Sequence, residues 1–142
     1  MKYWVGLVVV TFMLAGASAS RAAVRIADDP GGLIAKYAHK YQRLRASGQT
    51  VIIDGLCASA CTIVLSEVPA SKICVTPRAK FVFHAAWDFG PHGRAVTNPE
   101  ETRMLYSQYP AAVRRWIADR GGLTPRAIFL RGKQLHAMYR SC

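Results

Sequence analysis

A serine hydroxyl becomes a useful nucleophile when an imidazole can take its proton and backbone N–H groups can hold the oxyanion that forms. The chain carries residues for each of these roles. Ser59 stands in the run Gly55-Leu56-Cys57-Ala58-Ser59-Ala60-Cys61-Thr62, small residues that permit a sharp turn. Apolar Val51-Ile52-Ile53 precedes that run and Ile63-Val64-Leu65 follows it. A serine there lies where a strand gives way to a helix, next to the free N–H of Ala60. His84 ends the strand-like run Lys80-Phe81-Val82-Phe83-His84 and is the candidate base. Gly31-Gly32 follows a first strand and opens a helix. Without a Cβ, such a turn can bring its N–H groups close to a ligand. Each feature alone has a blander explanation, the serine as a helix cap and the histidine as a hydrogen-bonded core residue. Their order along the chain is what points to acyl transfer.

The other reactive side chains narrow the chemistry. Cys57 and Cys61 flank Ser59 at C-x₃-C spacing, which is not the C-x-x-C redox motif. His39, His84, His92 and His136 are scattered, so neither a metal site nor a cofactor is expected. Cys57, Cys61, Cys74 and Cys142 are disulfide candidates, and three pairings are open. A bridge involving Cys142 would tie the tail to the sheet. Arg103, Arg114, Arg115, Arg120, Arg126, Arg131, Lys133 and Arg140 crowd the last third. They form either a solvated helix face or a surface for an anionic envelope component such as acidic lipid.

The elements that must position these groups follow from local pattern. Val24-Arg25-Ile26-Ala27 alternates as a short strand and stops at Asp28-Asp29-Pro30-Gly31-Gly32. Leu33, Ile34, Tyr37, Ala38, Tyr41 and Leu44 recur at helical spacing, and Gly48 closes that helix. Val51-Ile52-Ile53 is too apolar to alternate and suits a buried parallel strand. Lys72-Ile73-Cys74-Val75 and residues 80–84 read as two more strands. Residues 86–98, with Gly90, Pro91, Gly93 and Asn98, read as a mobile loop. Asn98-Pro99-Glu100-Glu101 opens a helix running to about Arg120, which Pro110 must kink or split. Thr124-Pro125 looks like another helix start, and no later strand is evident. Alternating strands and helices predict a layered α/β domain whose C-terminal part is mainly helical.

Apolar residues make up 51% of the 142, which excludes a disordered tail protein, while a net charge of +11 implies an anionic partner or surface. Lys2, the apolar run Tyr3 to Leu14 and the small residues Ala15-Gly16-Ala17-Ser18-Ala19 read as a secretory signal over 1–19. The run is shorter than the ~20 residues that span a bilayer. The expected mature domain is a single unit over 20–142, periplasmic or secreted. Export permits disulfides and disfavours a nucleic-acid partner.

With these motifs in order, residues 24–87 resemble the Clp protease proteolytic-subunit and crotonase-like superfamily, which includes the signal peptide peptidase A type. There a strand ends in Ser-Pro-Gly-Gly, matched here by Asp29-Pro30-Gly31-Gly32. A helix and a buried strand lead to Gly-x-x-x-Ser, matched by Gly55-Leu56-Cys57-Ala58-Ser59. The family histidine closes a later strand, as His84 does. The resemblance implies a Clp/crotonase-like core in a small exported relative. It implies Ser59 as nucleophile, His84 as general base, and Gly32 with Ala60 as oxyanion hole. The family adds an aspartate or uses a lysine base from well after the histidine, and here Asp88 and Asp119 are the candidates for a third member. The function implied is a peptidase-like serine hydrolase acting on a peptide or acyl substrate, with homo-oligomer formation an open expectation. The alternative is a catalytically inactive envelope protein that keeps the fold as a binding or assembly module.

Overall fold

A computed structural model describes residues 22–142, so the expected signal segment lies outside the described residues. Val24–Asp29 forms strand β1, Ile34–Ser47 helix α1 and Val51–Ala58 strand β2. Gly48 ends α1 at φ +66°, a left-handed cap that glycine adopts without a Cβ clash. α1 buries Tyr41 and Leu44 and carries the chain back so that β1 and β2 pair in parallel, from Val24 opposite Val51 to Asp29 opposite Cys57. The register shifts between Ile26 and Asp28, and Gly55 accommodates that bulge. A Cβ on Gly55 would stand 1.9 Å from the Ala27 carbonyl oxygen, so no larger residue fits there.

After β2 a 3-10 turn at Ser59–Ile63 leads into the short helix α2 (Val64–Glu67). Strands β3 (Ile73–Val75) and β4 (Lys80–Phe83) follow. β2 serves both: Val51–Ile53 pair in parallel with β3, and Leu56–Ala58 with β4. This division of one long strand between two short neighbours curls the sheet. Two further strands complete it. β7 (Ile128–Arg131) lies antiparallel to β4, and β8 (Arg140–Ser141) lies parallel to β3. The result is a six-stranded mixed sheet in an α/β fold.

The C-terminal part is mainly helical, as expected, but it also contributes two strands that the sequence does not announce. Helices α3 (Pro99–Gln108), α4 (Ala111–Ala118) and α5 (Gly132–His136) are present, but β7 and β8 are built into the main sheet. Thr124-Pro125 therefore leads to a strand, not a helix. β7 interleaves exposed Phe129 and Arg131 with buried Leu130, a pattern too short to declare itself without its partner β4. Residues 86–98 are also more ordered than a loop. They form the hairpin β5 (Trp87–Phe89) and β6 (Ala95–Thr97) as a separate two-stranded sheet. The start of α3 is as its residues dictate, with the Asn98 side chain accepting the Glu101 N–H at 3.0 Å. Pro110 splits the long helix in two and stands as the N-cap of α4. α4 buries Val113, Trp116 and Ile117, and the rings of Tyr109 and Trp116 close on Phe83 at 5.3 and 5.9 Å.

Of the three open pairings, the disulfides are Cys57–Cys61 and Cys74–Cys142, with Cα atoms 5.2 and 4.9 Å apart. Two disulfides fit an oxidising compartment. Among the described residues no helix is long and apolar enough to cross a membrane.

One buried carboxylate anchors the far side of β2. Asp54 accepts hydrogen bonds from Thr76 Oγ1 (2.8 Å), from Arg78 Nε and Nη2 (3.1 and 2.6 Å), and from Arg25 Nη1. The Arg78 and Thr76 donors outweigh burial and, with Arg25, hold its carboxyl far below the ordinary carboxylate range. Its folded pKa is lower than the unfolded value of about 3.9, so the stability it contributes is fully present above that pH. It is lost as pH falls from there through the folded pKa. Asp54→Asn is therefore expected to flatten the acid limb of a melting-temperature profile between neutral pH and about pH 2. Parallel profiles for variant and wild type would contradict this.

Candidate active site

The parallel strands β1, β2 and β4 all run toward the same end of the sheet. Pairing Asp29 with Cys57 and Ala58 with Val82 brings their last residues side by side. At that end, Pro30-Gly31-Gly32, Ser59-Ala60 and His84 converge on one cleft of about 640 Å³. Clefts at the carboxyl ends of parallel strands collect N–H groups and side chains that no strand pairing uses, which makes them ordinary ligand sites.

Ser59 occupies the turn between β2 and the 3-10 segment at φ +55°, a left-handed conformation unusual for a residue with a side chain. The only other such non-glycine residue among those described is His92, at the tip of the β5–β6 hairpin. Below Ser59 the packing is tight and polar. Its carbonyl accepts the Thr62 hydroxyl at 2.7 Å, and Thr62 Oγ1 lies 2.6 Å from the Tyr109 hydroxyl. Thr62 and Tyr109 are 1% and 4% exposed, and burial pushes the Tyr109 phenol up to about 12 against the opposing effect of Thr62. The phenol is thus neutral and anchors the turn.

The glycine turn is also held from beneath. Asp29 Oδ1 accepts the Gly31 N–H at 3.0 Å and the Tyr37 hydroxyl at 2.5 Å, and Lys40 Nζ lies 3.3 Å from Oδ2. Burial raises the Asp29 pKa, but those donors together outweigh it and hold the carboxyl below its ordinary value. Tyr37 is pushed up to about 12, by burial first and by Asp29 second. The Gly31 N–H is thus committed to Asp29, while Gly32 lines the cleft beside it. Gly31 has a further task. At φ +88°, a Cβ there would lie 2.5 Å from the Ala58 carbonyl oxygen and 2.7 Å from Ser59 Cβ, so the two turns touch at this residue.

The His84 ring is half-buried just past β4. Its Nδ1 lies 2.7 Å from the Ala85 carbonyl oxygen. A carbonyl can only accept, so Nδ1 carries the proton and Nε2 of the neutral ring keeps a lone pair. No hydrogen bond joins Ser59 to His84, although both line the same cleft. Such contacts commonly tighten only around substrate.

Neither carboxylate considered as a third member bonds to the imidazole. Asp88 lines the cleft, but its Oδ2 accepts from Asn98 Nδ2 at 2.8 Å. Asp119 caps the end of α4, exposed and outside the cleft lining. The hydrogen-bond partner of the ring is instead a peptide carbonyl, that of Ala85.

The outer wall comes from residues that sequence reasoning placed in a loop. Trp87 and Phe89 of β5 line the cleft, with their rings edge to face at 5.1 Å. The hairpin base is fixed by Ala86, whose N–H donates to Thr102 Oγ1 and whose carbonyl accepts the Asn98 N–H. Leu33, Trp87 and Phe89 are 75%, 45% and 78% exposed, an apolar rim facing solvent. Among the described residues, Asp88 and Glu101 are the lining residues with formal charge, and no Lys or Arg lines the cleft in this basic chain. Among the described residues no group of His, Cys, Asp and Glu is arranged to hold a metal ion. Comparison with protein-family models finds no match to this chain, and comparison with curated proteins finds none either.

Proposed function

We propose that the protein is an exported serine hydrolase of the Clp-protease and crotonase-like type, acting on apolar acyl or peptide substrates through Ser59. The observation that carries this reading is the left-handed Ser59, at the carboxyl end of β2, sharing a cleft with His84 and the Gly31-Gly32 turn. Strained non-glycine backbone at the mouth of a cleft is a common property of nucleophile turns. In the proposed reaction His84 Nε2 takes the Ser59 proton as Oγ bonds to the substrate carbonyl carbon. The Gly32 and Ala60 N–H groups stabilise the resulting oxyanion. Collapse expels the leaving group, which takes the proton back from the imidazolium, and water repeats the sequence to release the acid and restore Ser59. The apolar rim of Leu33, Trp87 and Phe89 supports an apolar acyl portion, and the acidic lining disfavours an anionic one.

The test is covalent labelling. A fluorophosphonate should form an Oγ–P bond at Ser59 with loss of fluoride and a proton, and Ser59→Ala should not react. The second reading, an inactive binding or assembly module, is favoured by the lack of a carboxylate on His84. Wild-type protein that stays unlabelled, or labels as Ser59→Ala does, would favour it.

A further inference from the structure

We infer that the Cys57–Cys61 disulfide is a positioning element for Ser59, dictating the backbone conformation that presents the nucleophile to the cleft. The inference rests on the reading of Ser59 as nucleophile. Ser59 is the central residue of the bridged segment, with Ala58 and Ala60 on either side. Four residues of extended chain span about 13 Å, whereas the bridged Cα atoms stand 5.2 Å apart. The chain must therefore turn tightly within the bridge. Cys57 lies in β2 and Cys61 in the following 3-10 turn, so the tight turn falls on the residues between them.

The bridge is also placed to transmit rigidity. Cys57 and Cys61 are both fully buried, and the Tyr41 hydroxyl of α1 donates to Cys61 Sγ at 3.4 Å. A left-handed serine persists only where its surroundings dictate it. Three contacts do so here: the bridge, the Gly31 backbone against Ser59, and the Thr62 hydroxyl on the Ser59 carbonyl. The bridge alone is covalent.

The two disulfides divide the labour. Restriction of the unfolded chain grows with the logarithm of the loop closed, so a separation of 4 restricts it only about half as much as a separation of 68. Cys74–Cys142 holds the sheet edge, by β8 against β3, far from the nucleophile.

Three double variants separate these roles, with labelling kinetics resolved into a saturation constant and a maximal rate constant. In Cys57→Ala/Cys61→Ala, the maximal rate constant is expected to fall ten-fold or more with the saturation constant little changed. Cys57→Val/Cys61→Ala, which refills part of the buried volume, should behave alike. Cys74→Ala/Cys142→Ala should lower the melting temperature, yet label within two-fold of wild type at temperatures where it is folded. Hydrogen exchange over residues 56–64 gives a readout independent of chemistry, and should quicken in the first pair but not in the last. Labelled wild type with equally labelled, equally protected Cys57/Cys61 variants overturns the positioning role alone. Loss of a cooperative transition in both Cys57/Cys61 variants assigns the bridge to the fold and also overturns it. Unlabelled wild type in which exchange still responds overturns the nucleophile reading instead.

Discussion

His84→Ala should label with fluorophosphonate about 10²–10⁴-fold more slowly than wild type, the usual contribution of a positioned general base. The geometry makes this a specific expectation. The Ala85 carbonyl fixes the tautomer, so removing the ring removes an imidazole lone pair from the cleft that Ser59 lines. The N–H groups at Gly32 and Ala60 would remain, so the residual rate should exceed that of Ser59→Ala, which is zero. A carbonyl steadies the imidazolium less than a carboxylate does, and loss of the triad acid elsewhere costs about 10⁴ in rate. A slow enzyme is thus expected even in the wild type. Asp119→Asn, outside the cleft, should leave labelling unchanged. A His84→Ala protein that labels as fast as wild type would remove the base from the mechanism and leave Ser59 an incidental reactive hydroxyl.

Gly31→Ala should be among the most damaging single substitutions in the chain. Its added Cβ would meet Ala58 O at 2.5 Å, Ser59 Cβ at 2.7 Å and Ala60 N at 2.9 Å, all on the Ser59 turn. None of these is the end of a flexible side chain, so relief requires the backbone to move. The positive φ costs about 1–3 kcal/mol for a residue with a side chain. The forced repacking costs about as much again. At about 4 °C per kcal/mol, the melting temperature should drop by on the order of 10 °C or more. Gly121→Ala is the control, since it has the same positive φ, +87°, but nothing within 4 Å. It should lose only the backbone part. Because the clash falls on Ser59, Gly31→Ala should also slow labelling at temperatures where the variant is folded, and Gly121→Ala should not. Equal losses in the two variants would show that the close approach of the turns carries no weight.

The parts of this structure that sequence could foretell are those whose cause is local. The helix over 34–47 and its glycine cap, the Asn98 cap and the break at Pro110 all follow from neighbouring residues. So does the placement of Ser59 and His84 at strand ends, because turn chemistry and apolar runs are written contiguously. What was hidden depends on distant partners. β8 is two residues long and exists only against β3, and β7 alternates too briefly to be told from a loop. Gly90, Pro91 and Gly93 made the hairpin look unstructured, although its strands are fixed from Ala86, Asn98 and Thr102. The Thr62–Tyr109 hydrogen bond joins residues 47 apart and leaves no trace in either neighbourhood. The one signal that could have exposed Gly31 was the glycine pair itself, which marks a close backbone approach without saying what approaches.

The Cys74–Cys142 bridge has a consequence for the order of events. Everything between its two cysteines, including His84, the hairpin and α3 to α5, belongs to a single covalent ring. The ring cannot close before Cys142, the residue after β8, has been synthesised. The Cys57–Cys61 loop, by contrast, can close as soon as β2 and its turn have been synthesised. The Ser59 turn can thus be oxidised while most of the cleft wall does not yet exist. The thiol of Cys74 meanwhile waits for a partner delivered last, and until then its nearest disulfide in sequence is the one beneath Ser59.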